Sequence, residues 1–454
     1  MVYDGRQKYH HYLILTVAAS GSQPGNTHMT QASHSATVPG YRIALIILGI
    51  AVSPVLLAAS ALGSHLVLGD ALRAIVTGSL VLCTIACLTG WIGVTARMNT
   101  YQIVRYAFGT QGSRAINVLF AIALFGWTCV TANSCGHALQ DLLAMFGWQV
   151  PMLPLVCLGG VLFIGATAFG FEVLDKIALV AIPILLGLLA WNLSRFFGVA
   201  PFSAHSQVNT MSMGVATSSV AGTFMILVTT MPDFSSMVHN RRHALIGAVL
   251  SMGIAYPALF VAGAVPCALS GKVTLVAAMA LAGAALPTVV MLLIATVTGN
   301  AGNLFQATLA TSTFVRVMPR PRITLLLGVL ACLIGSQDIL DLFIPFLVFL
   351  GISVPPIAGI YITDFFLHRR KGYHPADLAL QPAVPLPTFV IWGLATVVGL
   401  LASRQMITLT DIPALDALLV AAGLYAFTSK VLSRGKGRQL RHASGDACEG
   451  SRAS

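Results

Sequence analysis

The side chains best placed to do chemistry lie inside long apolar runs, and they are uncharged. Asn300 and Asn303 are three residues apart, so on a helix they share a face, with Thr296 one turn earlier. An amide in an apolar medium needs a hydrogen-bond partner, so that face must look into protein or a cavity. The partner is either a bound solute or a neighbouring helix. Trp127 follows Phe125-Gly126, with Thr131 one turn on; it reads as a recognition surface or as a packing or lipid-facing aromatic. Ala221-Gly222-Thr223-Phe224 and Ser53-Pro54 add small residues and a helix breaker to two other runs. This inventory suits non-covalent recognition of a small neutral molecule. It does not suit bond-breaking. No carboxylate lies near the centre of an apolar run, and those runs contain no His-x-x-x-His, Glu-x-x-His or Gly-x-Ser-x-Gly pattern. An integral-membrane enzyme and a pump with a mid-membrane carboxylate relay are both disfavoured.

Composition dictates the elements that must hold these residues. Of 454 residues, 57% are hydrophobic and only 9% charged, with a mean hydropathy of +0.85. A soluble chain carries about 25% charged residues. Twelve apolar runs can be drawn, at 41–62, 71–93, 115–138, 152–170, 173–193, 213–231, 244–266, 284–311, 323–339, 340–362, 386–403 and 412–429. Most approach the ~20 residues that cross a bilayer as a helix. The ninth and tenth are separated by little polar sequence.

Basic residues set the orientation. Loops after the even-numbered runs hold Arg97, Arg105, Arg114, Lys176, Arg241, Arg242, Arg316, Arg320, Arg322, Arg369, Arg370 and Lys371; the opposite loops hold only Arg195, Lys272 and Arg404. Both termini are therefore expected in the cytoplasm, and the net charge of +11 is mostly topology rather than a nucleic-acid footprint. Residues 1–39 read as a disordered leader, with Met29 as an alternative start to Met1. Residues 40–430 read as the membrane domain, and 431–454 as a disordered basic tail. The cysteines read as small hydrophobes in helix packing, not as a disulfide or metal set.

Helix interruptions in matching positions of two halves are the sequence pointer to a transporter site. The first and sixth runs match if the first ten form two five-helix repeats. Several stretches then resemble one family. They are Arg105-Tyr106-Ala107-Phe108-Gly109-Thr110-Gln111-Gly112-Ser113, Phe125-Gly126-Trp127, Gly222-Thr223-Phe224 followed by Asp233-Phe234, and Pro355-Pro356-Ile357-Ala358-Gly359 followed by Asp364-Phe365-Phe366-Leu367-His368-Arg369-Arg370. In this order they resemble the nucleobase:cation symporter-1 family, within its cytosine and purine–cytosine permease branch, over residues 40 to 430.

The resemblance implies an all-α membrane protein of twelve helices, with a 5+5 inverted-repeat core and helices one and six broken. It implies no cofactor and import of a nucleobase such as cytosine or a purine with a cation across the plasma (inner) membrane. Trp127 would stack on the base and Phe224 contact it from another side. Backbone groups near Gly222 and Thr223, with the amides of Asn300 and Asn303 and the hydroxyl of Thr131, would read its edge. A cation would sit at Thr298 and the carbonyls of Gly49 and Val52.

Two positions depart from the family's pattern. Leu124 stands where cytosine permeases carry Gln, and Gly299 replaces the second hydroxyl of the sodium site. The coupling ion is therefore Na+ or H+. A related heterocycle (a hydroxymethylpyrimidine, hydantoin or allantoin) or a non-transporting protein of the same fold stays an alternative.

Overall fold

The computed structural model describes residues 38–450, apart from 169–170, 199–208, 338, 340–345, 347–348 and 380. The leader at 1–37 lies outside the described residues. Residues from Val38 onward form one compact unit. It is helical, and its elements in chain order are α1 (Gly40–His65), α2 (Leu68–Ala96), α3 (Thr100–Phe108), α4 (Gly112–Ala144), α5 (Met152–Ala168), α6 (Phe171–Gly198), α7 (Met213–Thr229) and α8 (Pro232–Ser235). Next come α9 (Arg241–Ala248) and α10 (Tyr256–Ser270), which are joined by a wider π turn at Val249–Ala255. The chain continues with α11 (Leu275–Ala280), α12 (Ala285–Ser312), α13 (Arg320–Gly335), α14 (Pro355–His368), α15 (Pro375–Ala379), α16 (Leu386–Ser403) and α17 (Pro413–Gly450). The last helix runs on through the basic tail that the sequence reading leaves without regular structure.

Ten helices among the described residues are long and apolar enough to cross a membrane, and Met152–Ala168 is a shorter apolar one. Their exposed residues include large hydrophobics such as Leu80, Val161, Val180 and Leu386, the side chains a lipid-facing surface requires. Inside the bundle, α12 packs against α1, α4, α5, α6 and α13, while α1 also packs along α10. Of these, α1 is the most enclosed, with almost every residue from Ile43 to Leu56 buried.

That enclosure overturns one expectation. Helix one is not broken at Ser53-Pro54; α1 is helical throughout with Pro54 inside it. Proline removes one backbone donor, and the carbonyl four residues earlier, at Ile50, loses its partner. Packing on all sides holds the turn in place. The Ile50 carbonyl faces α12 at Gly299, where an added Cβ would lie 3.2 Å from Ile50 O and 3.6 Å from Gly49 O. A Cβ there would press on the Ile50 carbonyl, so glycine eases the close approach of the two backbones. The sixth helix is also intact at Gly222-Thr223. Its interruption comes a full two turns later, at Thr230-Met231, before the single turn of α8.

Candidate functional site

Four helices converge near the middle of the bundle on a pocket lined by Ile50 and Pro54 of α1, Leu124 and Trp127 of α4, Thr223 and Phe224 of α7, and Asn303 and Gln306 of α12. Among the described residues, none that lines it is charged. The helix geometry explains who arrives there. Asn303 and Gln306 are one turn apart on α12, and both are buried, at 5% and 0% exposure. Trp127 and Leu124 bear the same relation on α4.

The pocket is nearly closed, with about 10 Å³ of free space, room for about one water. Trp127 does not lie open. It meets Phe346 edge to face, with ring centroids 5.9 Å apart at 72°. Gly126 makes that possible, because a Cβ there would stand 2.4 Å from the Phe346 ring. Across the pocket, Phe224 packs edge to face on Tyr256 at 5.4 Å. The Tyr256 hydroxyl donates to the Val220 carbonyl at 2.5 Å, which fixes that wall.

The Thr131 hydroxyl lies 2.7 Å from the Trp127 carbonyl and 2.6 Å from the Asn300 amide oxygen position. A hydroxyl donates only one proton. If it donates to the helix carbonyl, it accepts from the amide N–H, and the amide carbonyl turns the other way. In either arrangement Thr131 holds one end of the Asn300 amide, and the other end has no partner among the described residues. Gln306 is held in the same manner. Thr230 Oγ1 lies 3.0 Å from both the Ile226 carbonyl and Gln306 Oε1, and the far end of the Gln306 amide is unpartnered. Asn303 Nδ2 likewise has no partner among the described residues. Three buried amides thus each keep one hydrogen-bonding end unused, a costly state unless a ligand uses it.

The sequence reading placed some of these residues and missed others. Trp127, Phe224, Thr223 and Asn303 come together. Asn300 and Thr131 instead bond to each other beside the pocket, and Gly222 does not line it. Gln306 was missed, although it lies one turn beyond Asn303 on the same polar face. Phe346 was also missed, since it falls in the stretch where the ninth and tenth runs merge.

A second small space, also about 10 Å³, lies between α1, α6 and α12, lined by Gly49, Ile50, Thr298 and Ala301 among others. The Thr298 hydroxyl faces it but donates to the Ile294 carbonyl within its own helix. Val52 does not line this space, and the carbonyls beside Gly299 are those of Gly49 and Ile50.

Three acidic groups near span ends, Asp233, Asp364 and Asp416, are buried. Asp233 Oδ1 accepts from the Thr100 backbone N–H at 2.8 Å, in the first turn of α3, whose N-cap is Asn99. Asp416 accepts from the backbone N–H groups of Leu409 and Thr410. Asp364 joins a buried cluster at the end that carries the basic loops. Arg369 Nε donates to Asp364 Oδ2 at 2.7 Å, and Arg369 Nη1 to Asp377 Oδ2 at 2.9 Å. Its guanidinium lies 5.0 Å from the Tyr106 ring centroid, and the Tyr425 hydroxyl donates to Asp364 Oδ1 at 2.9 Å. Burial disfavours the Arg369 charge, but the two carboxylates outweigh it, and its pKa stands above the ordinary value.

Comparison with known proteins assigns the family. A model of permeases for cytosine/purines, uracil, thiamine and allantoin matches residues 40–412. Cytosine permeases of Escherichia coli O157:H7 and of Escherichia coli strain K12 are each 24% identical over 397 residues, covering 86% of this chain and 90% of the relative. Among solved structures, Mhp1, a nucleobase-cation-symport-1 family transporter, aligns in a closed conformation with bromovinylhydantoin bound. That alignment has a TM-score of 0.74 and 19% identity over 88% of this chain and 94% of that one. The inward-facing conformation of Mhp1 aligns with a TM-score of 0.70 over 89% and 94%. A neutral, amide-bearing pocket inside a bundle of apolar helices, together with a family match spanning most of the chain, makes this protein a member of the cytosine/purine permease family, a membrane transporter and not an enzyme.

Proposed function

We propose that the chain is a symporter that imports a nucleobase such as cytosine or a purine together with a cation. The observation that carries this reading is the central pocket. It pairs one indole with the buried amides of Asn303 and Gln306, and its lining has no charged residue among the described residues. A flat heteroaromatic offers a face for stacking and an edge of donors and acceptors, which match those two features. In the bound state the ligand would replace the Phe346 contact on Trp127, with Phe224 and Thr223 opposite. Asn303 and Gln306 would read the edge, and Asn300, pinned by Thr131, would stand behind them. The curated relatives are cytosine permeases, which supports a nucleobase.

One observation favours a different heterocycle. Leu124, where the cytosine permeases carry Gln, lines the pocket. An apolar group at that wall removes one hydrogen-bonding partner and suits a ligand with a bare edge there. A hydroxymethylpyrimidine, hydantoin or allantoin is the second reading.

For the cation, Thr298 with the carbonyls of Gly49 and Ile50 gives a sparse set of oxygens for Na+, and H+ remains the alternative. The twelve-helix arrangement with a 5+5 inverted-repeat core, placement in the plasma (inner) membrane and cytoplasmic termini complete the proposal; the one-sided distribution of Lys and Arg supports the orientation. Uptake of labelled bases and heterocycles in a strain lacking its own permeases tests all of this. Saturable uptake of at least one compound, abolished by dissipating the cation gradient, is expected. A correctly inserted protein that takes up none of them would leave only the fold.

A further inference from the structure

The basic-loop end of the bundle holds two recesses lined by arginine, and they differ in how those arginines are used. In the larger, of about 560 Å³, Arg97 donates to the carbonyls of Ser236 at 3.2 Å and His239 at 2.8 Å. Arg241 lies 5.1 Å from the Trp91 ring centroid and donates to Thr95 Oγ1 at 3.3 Å. Those two guanidiniums tie loops to helices. The other recess, of about 400 Å³, lies between α3, the start of α4 and the end of α12. Arg105, Arg114 and Arg316 line it, and among the described residues no carboxylate does. No hydrogen bond, ion pair or ring contact to a described residue engages any of the three.

Exposed arginines are hydrated and singly need no explanation. Here half-buried Arg105 of α3, exposed Arg114 of α4 and exposed Arg316 of the loop after α12 converge on one recess whose inner wall is polar and buried. Asn117, 3% exposed, forms part of that wall. Its Nδ2 donates to Thr313 Oγ1 at 3.1 Å and to the Tyr101 carbonyl at 3.4 Å, and its Oδ1 has no partner among the described residues. The recess therefore offers a triple positive charge with forked donors at its rim and a buried acceptor inside. Guanidinium forks match phosphate oxygens, and a lone amide carbonyl matches a hydroxyl.

We propose that this recess binds a phosphate ester that also carries a hydroxyl group, either the headgroup of an anionic phospholipid or a soluble nucleotide. Such a ligand joins α3, α4 and α12 at one point. Two of these helices supply Trp127, Asn303 and Gln306 to the central pocket. The proposal stands apart from the transport reading and does not depend on which solute is carried.

The test uses the purified full-length protein in neutral detergent. Short-chain phosphatidylglycerol, adenosine monophosphate and inorganic phosphate are titrated separately, with short-chain phosphatidylcholine as the zwitterionic comparator, and binding is followed by the shift in melting temperature. Saturable binding of a hydroxyl-bearing ester is expected, weakened by added salt. The R105Q/R114Q/R316Q variant should bind about tenfold more weakly or worse, the loss expected from removing charge-assisted hydrogen bonds. R114Q and R316Q singly, at exposed positions that do not threaten folding, should each weaken it in the same direction. R241Q/R242Q should leave it unchanged. Binding of the lipid alone assigns the source to the bilayer, and binding of the nucleotide alone to the soluble pool. Failure of every phosphate probe to bind would overturn the proposal. So would an equal loss in R241Q/R242Q, which would mean a diffuse basic surface. Inorganic phosphate binding as tightly as the esters, with N117A unaffected, would remove the hydroxyl from the ligand.

Discussion

The central pocket and the Arg369 cluster are both buried and polar, yet they are built on opposite terms. Around Arg369 the strong groups find partners within the protein: two carboxylates take the guanidinium, and the Tyr425 hydroxyl takes the remaining oxygen of Asp364. Around Trp127 the amides of Asn300, Asn303 and Gln306 are each left with an end unused. A closed set of charges fixes helix ends against one another, whereas an unfinished set of neutral groups waits for a guest. The contrast separates residues expected to matter for folding from residues expected to matter for binding.

The largest effect should come from the closed set. Arg369→Ala leaves Asp364 buried and unpaired, which costs roughly 3–5 kcal/mol. The expected result is a large fall in melting temperature and folded yield, partly restored in Arg369→Lys. A variant that melts with the wild type would erase the distinction. Next is Trp127→Ala, which should lower the melting temperature of the ligand-free protein, because the buried indole packs on Phe346, and should in addition weaken ligand binding by about tenfold to a hundredfold, from a stacking contribution of about 1–3 kcal/mol. Equilibrium binding beside a melting curve checks both halves, and unchanged affinity would make the indole a packing residue.

Smaller again are Asn303→Ala and Gln306→Ala. Each should cost about 1 kcal/mol, the net value of a hydrogen bond, and each should alter the ranking of bases in competition assays. An identical loss for every ligand would reassign the amide to helix packing. The smallest is Thr298→Ala. If a cation rests on Thr298, sodium should tighten substrate binding by about fivefold, the lower end of typical coupling, with the reciprocal effect of substrate on sodium; the variant should abolish it. Equal affinity in sodium and choline buffers, with uptake following a pH gradient, would move the coupling to a proton.

How far this division could be read in advance varies by residue. Trp127, Phe224 and Asn303 were legible because a polar or aromatic group in an apolar run has few reasons to be there. Gln306 obeys the same rule; following the polar face of α12 one turn further would have found it. The break at Ser53-Pro54 was a local argument that lost to a global one, since α1 is packed on every side and the missing hydrogen bond does not unwind it. Asn300 has the right spacing but faces Thr131, and helical periodicity cannot tell which neighbouring helix fills the adjacent groove. The Arg369 cluster was visible only as a string of residues near one helix end. Its partners Tyr106 and Tyr425 lie more than 250 residues upstream and 56 residues downstream.

Phe346 bears on how tightly any ligand can be held. Its ring already packs against Trp127, seated in the notch that Gly126 leaves. An incoming molecule competes with a tethered one. Aromatic pairs of this kind contribute about 0.5–1.5 kcal/mol, so the measured dissociation constant should be about two- to tenfold weaker than the stacking contact alone would give. The same ring is ready to return as the solute leaves. A carrier must let go as reliably as it captures, and if Trp127 is the surface that stacks on the solute, as proposed, an internal rival for it shortens the time each molecule stays.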